Sequence, residues 1–179
     1  ATTGRAARKG VLFKNAEAIE ALSKVNVVIV DKTGTLTVGK PSVSEIKVLS
    51  KNVDQAQAEL WIASIEQYST HPIAETLTKI VAKEQLLNAT DFEDVAGFGV
   101  KAKIADQMLY VGSLKLIEQL KIQLDDALNQ QLNQLRAQGN ALSFLANEHE
   151  ILAYIAIKDA IKPDAKEVID QLHADGIEV

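Results

Sequence analysis

The sequence predicts an α/β protein in which a domain with a mostly antiparallel sheet, flanked by helices, is inserted into an incomplete doubly wound domain. The first observation is the β-branched run Val27-Val28-Ile29-Val30, which stops at Asp31 and a Gly/Thr loop. That is the pattern of a buried parallel strand delivering one carboxylate to the mouth of a sheet. The second is a self-contained stretch of short helical and strand segments from Pro41 to Ile157. The third is the return, after Pro163, of an amphipathic helix followed by Ile177-Glu178-Val179. A sheet built from the Val27 strand and this stub alone would expose both faces, so the two ends read as pieces of one domain. The expected divisions are 1–40, 41–157 and 158–179.

Asn15 is placed to cap a short helix carrying Ile19 and Leu22, which leads into a strand over Val25 to Val30. Gly39-Lys40-Pro41 should break the pattern, with a hinge over Val38 to Pro41 and a new strand marked by Val43, Ile46 and Val48. Trp61, Ile65 and Tyr68 fall at i, i+4 and i+7, as do Ile73, Leu77 and Ile80. Two amphipathic helices separated by Ser69 to Pro72 are therefore expected.

Phe92 to Val95, Val100 to Ile104 and Met108 to Val111 read as strands, with Ala105-Asp106-Gln107 as a turn. Helices follow at Leu114 to Leu120 and around Leu128, Leu132 and Leu135, the second ending at Gly139. Leu142 to Ala146 and Ile151 to Ile157 pair around Asn147 to Glu150. Pro163 suits the first turn of a last helix, whose Ala165, Val168, Ile169 and Leu172 share a face before Gly176.

The 179 residues are 47% apolar, enough for a core of one or two globular domains, and carry a net charge of -5. That charge disfavours a nucleic-acid surface. The basic segment Arg5, Arg8, Lys9 and Lys14 reads either as a solvated tail or as a chain leaving a membrane on its cytoplasmic side. There is no cysteine, which excludes disulfides and thiolate metal sites, and His71, His149 and His173 show no ligand spacing. No run is long and apolar enough to span a bilayer, and no signal peptide is visible.

The chemistry concentrates in Asp31-Lys32-Thr33-Gly34-Thr35-Leu36-Thr37. A strand-end carboxylate can attack a phosphoryl group to give an aspartyl phosphate. Lys32 adds positive charge, Gly34 lets the backbone approach a phosphate, and Thr33 and Thr35 offer hydroxyls and amides to phosphate or to a magnesium shell. A hairpin turn would explain Asp-Lys-Thr-Gly but does not call for the whole heptad.

This heptad resembles the phosphorylation signature of the P-type ATPases. GRAARKGVLFKNAEAIEALSKV near the start, Ser69-Thr70-His71-Pro72 and Gly97-Phe98-Gly99-Val100 resemble the heavy-metal-transporting branch, and the first of these looks more like copper or silver pumps than zinc or cadmium pumps. The resemblance implies a haloacid-dehalogenase-like phosphorylation domain interrupted by a nucleotide-binding domain. It further implies ATP and Mg2+ as cofactors, Asp31 as phosphorylated residue with Lys32 and Thr33 beside it, and Asp31 and Thr33 as magnesium ligands. The partners implied are the membrane and actuator domains of the same pump. The expected location is a cytoplasmic domain of an integral membrane protein, with the piece itself a monomer. The family's Thr-Gly-Asp and Gly-Asp-Gly segments, with their magnesium-binding aspartates, would follow Val179.

His71 precedes a proline, which pushes its backbone toward the extended region and presents the imidazole at a helix start, either to cap it or to stack on a base. Glu66 could accept from an adenine amino group or be solvated. Gly97 and Gly99 could admit a ligand close to the backbone or form a turn. The resemblance assigns Glu66, His71, Gly97 and Gly99 to ATP contact. At the position where the family often has asparagine this chain has Ser113, which keeps a hydroxyl. Thr70 replaces a common acidic residue, and Ala141 replaces a common threonine after Gly139-Asn140. Asp159 and Lys162 resemble the pair at re-entry into the phosphorylation domain. Lys162 would neutralise phosphate there, or the two would form a surface ion pair.

The expected function is the ATP-binding and aspartyl-phosphorylation unit of a heavy-metal pump, copper before zinc or cadmium. ATP would dock on the inserted domain, and Asp31 would attack the γ-phosphorus in line. A stand-alone phosphatase of the haloacid dehalogenase superfamily usually has a second aspartate two residues after the nucleophile; Thr33 cannot serve as that acid and base at neutral pH. A lasting phosphoenzyme is expected instead. A third reading is that this stretch binds ATP without turning it over.

Overall fold

The computed structural model describes residues 2–179. The chain forms two compact units, one made of the chain up to Val38 with Ile161–Val179, the other of Gly39–Ala160.

In the first unit, α1 (Thr2–Arg8) precedes α2 (Ala16–Ser23), and the Asn15 side chain accepts from the Ala18 amide at 2.8 Å as an N-cap. The strand expected over Val25 to Val30 is reduced to one parallel bridge between Val27 and Glu178. The Val28 amide donates to Glu178 O at 2.8 Å, and the Glu178 amide donates to Asn26 O at 2.9 Å. The expected buried strand is also exposed, Ile29 by 96% and Val27 by 51%. A parallel strand takes its ladder and its burial from neighbours on both sides, and among the described residues Glu178 is the one ladder partner. The helix expected to hold Pro163 in its first turn is α7 (Ala165–Ala174), which starts after Asp164 and so leaves Pro163 outside it, and Gly176 follows at φ +76°.

The second unit is organised on a six-stranded sheet. Its strands are β1 (Thr37–Val48), β2 (Thr90–Val95), β3 (Gly99–Ile104), β4 (Gln107–Gly112), β5 (Ala141–Ala146) and β6 (Ile151–Ile161). They lie in the order β1-β6-β5-β4-β3-β2, with antiparallel register from β2 through β6. The β3–β4 turn is a two-residue one, Ala105 and Asp106 at φ +52° and +63°, with Ile104 opposite Gln107. Positive φ at both central residues matches the right-handed twist of the strands they join.

Helices cover both faces. On one, α3 (Gln55–Glu66) and α4 (Ala74–Thr78) bury Ile62, Ile65 and Leu77 against Val100, Ala102, Leu109, Val111 and Leu145. On the other, α5 (Leu114–Gln119) and α6 (Asp126–Ala137) bury Ile117 and Leu132 against Phe144 and Tyr154. Neighbours Phe144 and Leu145 fall in different cores, as a strand period of two requires.

Three expectations are corrected here. Gly39-Lys40-Pro41 does not break the strand, because Gly39 adopts φ +76° and β1 runs through it. The amides of Gly39 and Lys40 donate to the Asp159 carboxylate at 3.1 and 3.2 Å, which satisfies two donors at this irregularity. The second amphipathic helix is short: α4 starts at Ala74, so Pro72 lies in the preceding turn, and Tyr68, Ile73 and Ile80 lie outside the helices. Finally, β6 continues to Ile161. The compact units divide after Val38 and after Ala160, inside β1 and β6, where divisions are expected after Lys40 and Ile157.

Candidate functional site

The heptad in the first unit is a tied loop. Asp31 is extended, and its exposed carboxylate accepts from the Lys32 amide at 2.9 Å. Gly34 takes φ +77°, and the chain returns so that the Thr37 amide reaches Lys32 O. Thr37, only 2% exposed, closes the turn a second time: its hydroxyl accepts from the Gly34 amide at 3.1 Å and donates to Lys32 O at 3.3 Å. The Lys162 amide holds Leu36 O at 2.8 Å.

The last threonine of the heptad is thus the loop's internal brace, whereas Lys32, Thr33 and Thr35 are exposed around Asp31. Asp31 and Thr33, the expected magnesium ligands, are two residues apart on that loop. Among the described residues no group of three or more His, Cys, Asp or Glu side chains could hold a metal ion. A magnesium ion bound through one or two carboxylates and a substrate's phosphates needs no such group, and Asp31 supplies one carboxylate.

In the second unit Glu66, His71, Gly97, Gly99 and Ser113 all line one cleft of about 260 Å³. Leu77, Val100 and Val111 give it an apolar floor, and no lysine or arginine among the described residues lines it. Glu66 ends α3 and is 5% exposed, with no hydrogen-bond partner for Oε2. Burial, with the charge of Asp94 added, pushes its carboxyl up to about 7. A buried polar atom without a partner is uncommon in a native fold and marks a place where a ligand donor fits.

His71 is held by its own loop. Its amide donates to Ser69 Oγ at 3.1 Å, and its Nδ1 accepts from the Ile73 amide at 3.3 Å. That acceptor role leaves the neutral ring's proton on Nε2, free to donate elsewhere.

The glycines divide into two kinds. Gly97, at φ +80°, has nothing within 4 Å of where a Cβ would stand, so the backbone there borders open space. At Gly99, φ +144°, a Cβ would stand 2.2 Å from Val111 O and 2.5 Å from Gly112 Cα. Gly99 is therefore required by the approach of β4. Ser113 donates its hydroxyl to Phe98 O at 3.2 Å and its amide to the same oxygen at 2.9 Å, so it fastens the Gly97–Gly99 turn and keeps only acceptor capacity for a ligand.

Sequence reasoning missed Asp94, Ser69, Ser143 and Gly112 in this cleft. Gly112 is the other half of the close approach, since a Cβ there would stand 2.2 Å from Phe98 O. Asp94 carried a signal, an acidic residue just before the Gly-x-Gly turn, that pattern reading alone did not weigh.

The haloacid dehalogenase-like hydrolase family matches residues 25–179. A copper-exporting P-type ATPase of Staphylococcus haemolyticus is 37% identical over 95% of this chain and 21% of its own length. A probable cadmium-transporting ATPase of Alkalihalophilus pseudofirmus is 34% identical over 97% of this chain and 25% of its own. The chain thus spans a quarter or less of these relatives. Among solved structures, the catalytic domain of the CPx-ATPase CopB-B aligns with TM-score 0.68 and 26% identity, over 99% of this chain and 61% of that one. A zinc-transporting PIB-type ATPase in its E2.Pi state aligns with TM-score 0.67 and 29% identity, over 98% and 28%.

Proposed function

Since this chain belongs to the haloacid dehalogenase-like hydrolase family and resembles the catalytic domains of heavy-metal P-type ATPases, we propose that it is the ATP-binding and aspartyl-phosphorylation unit of such a pump. The observation that carries the reading is the gathering of Glu66, His71, Gly97, Gly99 and Ser113 at one cleft, with a buried carboxyl oxygen awaiting a donor. The adenine ring lies against the apolar floor near His71, its amino group toward Glu66. Gly97 leaves room at the backbone for the rest of the nucleotide.

Asp31 is the acceptor of the γ-phosphoryl group. Its carboxylate oxygen forms the new O–P bond as the bond from Pγ to the β-phosphate oxygen breaks, and ADP leaves with that oxygen. Lys32 offsets charge on the phosphoryl oxygens, while the braced loop keeps the exposed Asp31 carboxylate in one place. Asp31 and Thr33 would hold Mg2+, which supplies charge neutralisation at the phosphates. Thr33 offers no second carboxylate to activate water, so the aspartyl phosphate persists until another domain of the pump supplies a base.

The cargo is a heavy-metal cation, copper first. Its ligands and membrane path belong to other segments, since no helix among the described residues is long and apolar enough to cross a membrane. This stretch occupies the cytoplasmic side, where ATP is available.

Calorimetric titration of the chain with ATP tests the reading. His71→Ala should lose affinity while Asp31→Asn retains it. Steady phosphate release by this chain alone would overturn the pump reading in favour of a stand-alone phosphatase.

A further inference from the structure

Resting on that nucleotide reading, a second property follows from what surrounds Glu66. The groups that face it from each neighbouring element are few. Asp94 comes from β2, His71 from the linker before α4, and among the described residues no lysine or arginine lines the cleft. Glu75 of α4 and Lys79 just after it border the adjoining hollow, which Glu66 also lines, and pair with each other at 2.6 Å. Glu66 Oε2 is buried without a partner. A carboxylate in that position would be desolvated, uncompensated by a cation and repelled by Asp94, whereas a neutral carboxyl would not.

The ligand edge favours the same state. Adenine presents a donor, the N6 amino group, beside an acceptor, ring N1. An ionised carboxylate carries acceptors only, so it satisfies N6 but opposes the N1 lone pair. A neutral carboxyl satisfies both, its carbonyl oxygen accepting from N6 and its hydroxyl donating to N1. We propose that Glu66 receives the adenine edge as a neutral acid and that Asp94 is the positioning residue whose charge keeps it so, which makes nucleotide binding proton-linked. The proton is taken from solvent and stays on Glu66 in the complex.

The test uses the 179-residue chain and adenosine, which has no phosphate to titrate in this range. Affinity is read by NMR titration at pH 6, 7 and 8, and proton uptake by calorimetry in buffers of different ionisation enthalpy. With a midpoint near neutrality, the dissociation constant should rise about tenfold between pH 6 and pH 8, and binding at the upper end should take up a proton. Glu66→Gln should flatten the pH profile and abolish the uptake although His71 is still present. Asp94→Asn should move the midpoint to lower pH.

An affinity independent of pH in the unaltered chain overturns the proposal. So does a profile that survives Glu66→Gln, which would assign the proton to His71, or a midpoint that ignores Asp94→Asn. Failure of both adenosine and ATP to bind at any pH would instead overturn the nucleotide reading itself.

Discussion

Replacing Gly99 with alanine should unfold the second unit far more readily than the same change at Gly97, two residues away. At Gly99 the new Cβ would stand 2.2 Å from Val111 O and 2.5 Å from Gly112 Cα, on a backbone at φ +144°. A conformation reserved for glycine adds about 1–3 kcal/mol by itself. Relieving the overlap moves β4 away by about 1 Å, which strains both hydrogen bonds from Ser113 to Phe98 O, each contributing on the order of 1 kcal/mol. The sum is about 3–5 kcal/mol. Gly97→Ala meets nothing within 4 Å and has only its φ of +80° to sustain, about 1–2 kcal/mol. Urea unfolding followed by the fluorescence of Trp61, which packs on the core of this unit, measures both. A Gly99→Ala variant within about 1 kcal/mol of the unaltered chain would refute the argument that β4, rather than a ligand, dictates that glycine.

Other outcomes follow from the same geometry. Glu66 is raised to about 7 in the folded chain from an ordinary value of 4.5, so the native state holds a proton that the unfolded chain has released between those values. Stability therefore falls as pH rises from 4.5 to about 7 and levels off above, a loss on the order of 3 kcal/mol. Glu66→Gln should remove that loss, stabilising the unit at pH 8 and changing little at pH 4; equal effects at both would exclude the titration of Glu66 as its source. Thr37→Val leaves the Gly34 amide without its 3.1 Å acceptor, and should speed hydrogen exchange at Gly34 by about tenfold or more as the brace is lost. Tyr154→Phe removes the hydroxyl that donates to Glu45 at 3.0 Å and accepts from Gln131 at 3.2 Å beneath α6, and should lower the unfolding free energy from urea titration by about 1–2 kcal/mol.

What could be read from sequence was what local chemistry decides. Asn15 caps α2, Ala105-Asp106 turns β3 into β4, and Gly139 follows α6 at φ +89°, each because a short-range donor or a positive φ is needed at that point. Tertiary partners decided the rest. Val27 to Val30 has the composition of a buried strand, but burial is conferred by neighbours, and composition cannot supply them. Gly39 and Pro41 look like breakers until the Asp159 carboxylate, 120 residues away in sequence, takes the two amides that the irregularity frees. The cleft shows both sides. Glu66, His71, Gly97, Gly99 and Ser113, which the resemblance singles out, all line one cleft, yet the division of labour between Gly97 and Gly99 depends on where β4 runs. The position of Asp94, just before the Gly-x-Gly turn, hints at the site, but only the fold puts it on the same cleft as Glu66.

The bond from Asp159 to Gly39 and Lys40 also bears on the modularity of the second unit. Its entering strand β1 and leaving strand β6 are neighbours, so the whole insert begins and ends about 4.8 Å apart, a single strand spacing. To a surrounding domain, an insert with adjoining ends is a closed loop whose entropy grows only with the logarithm of its length. Such a module could be excised, or enlarged in its outer hairpins, without altering the distance that the host chain must bridge.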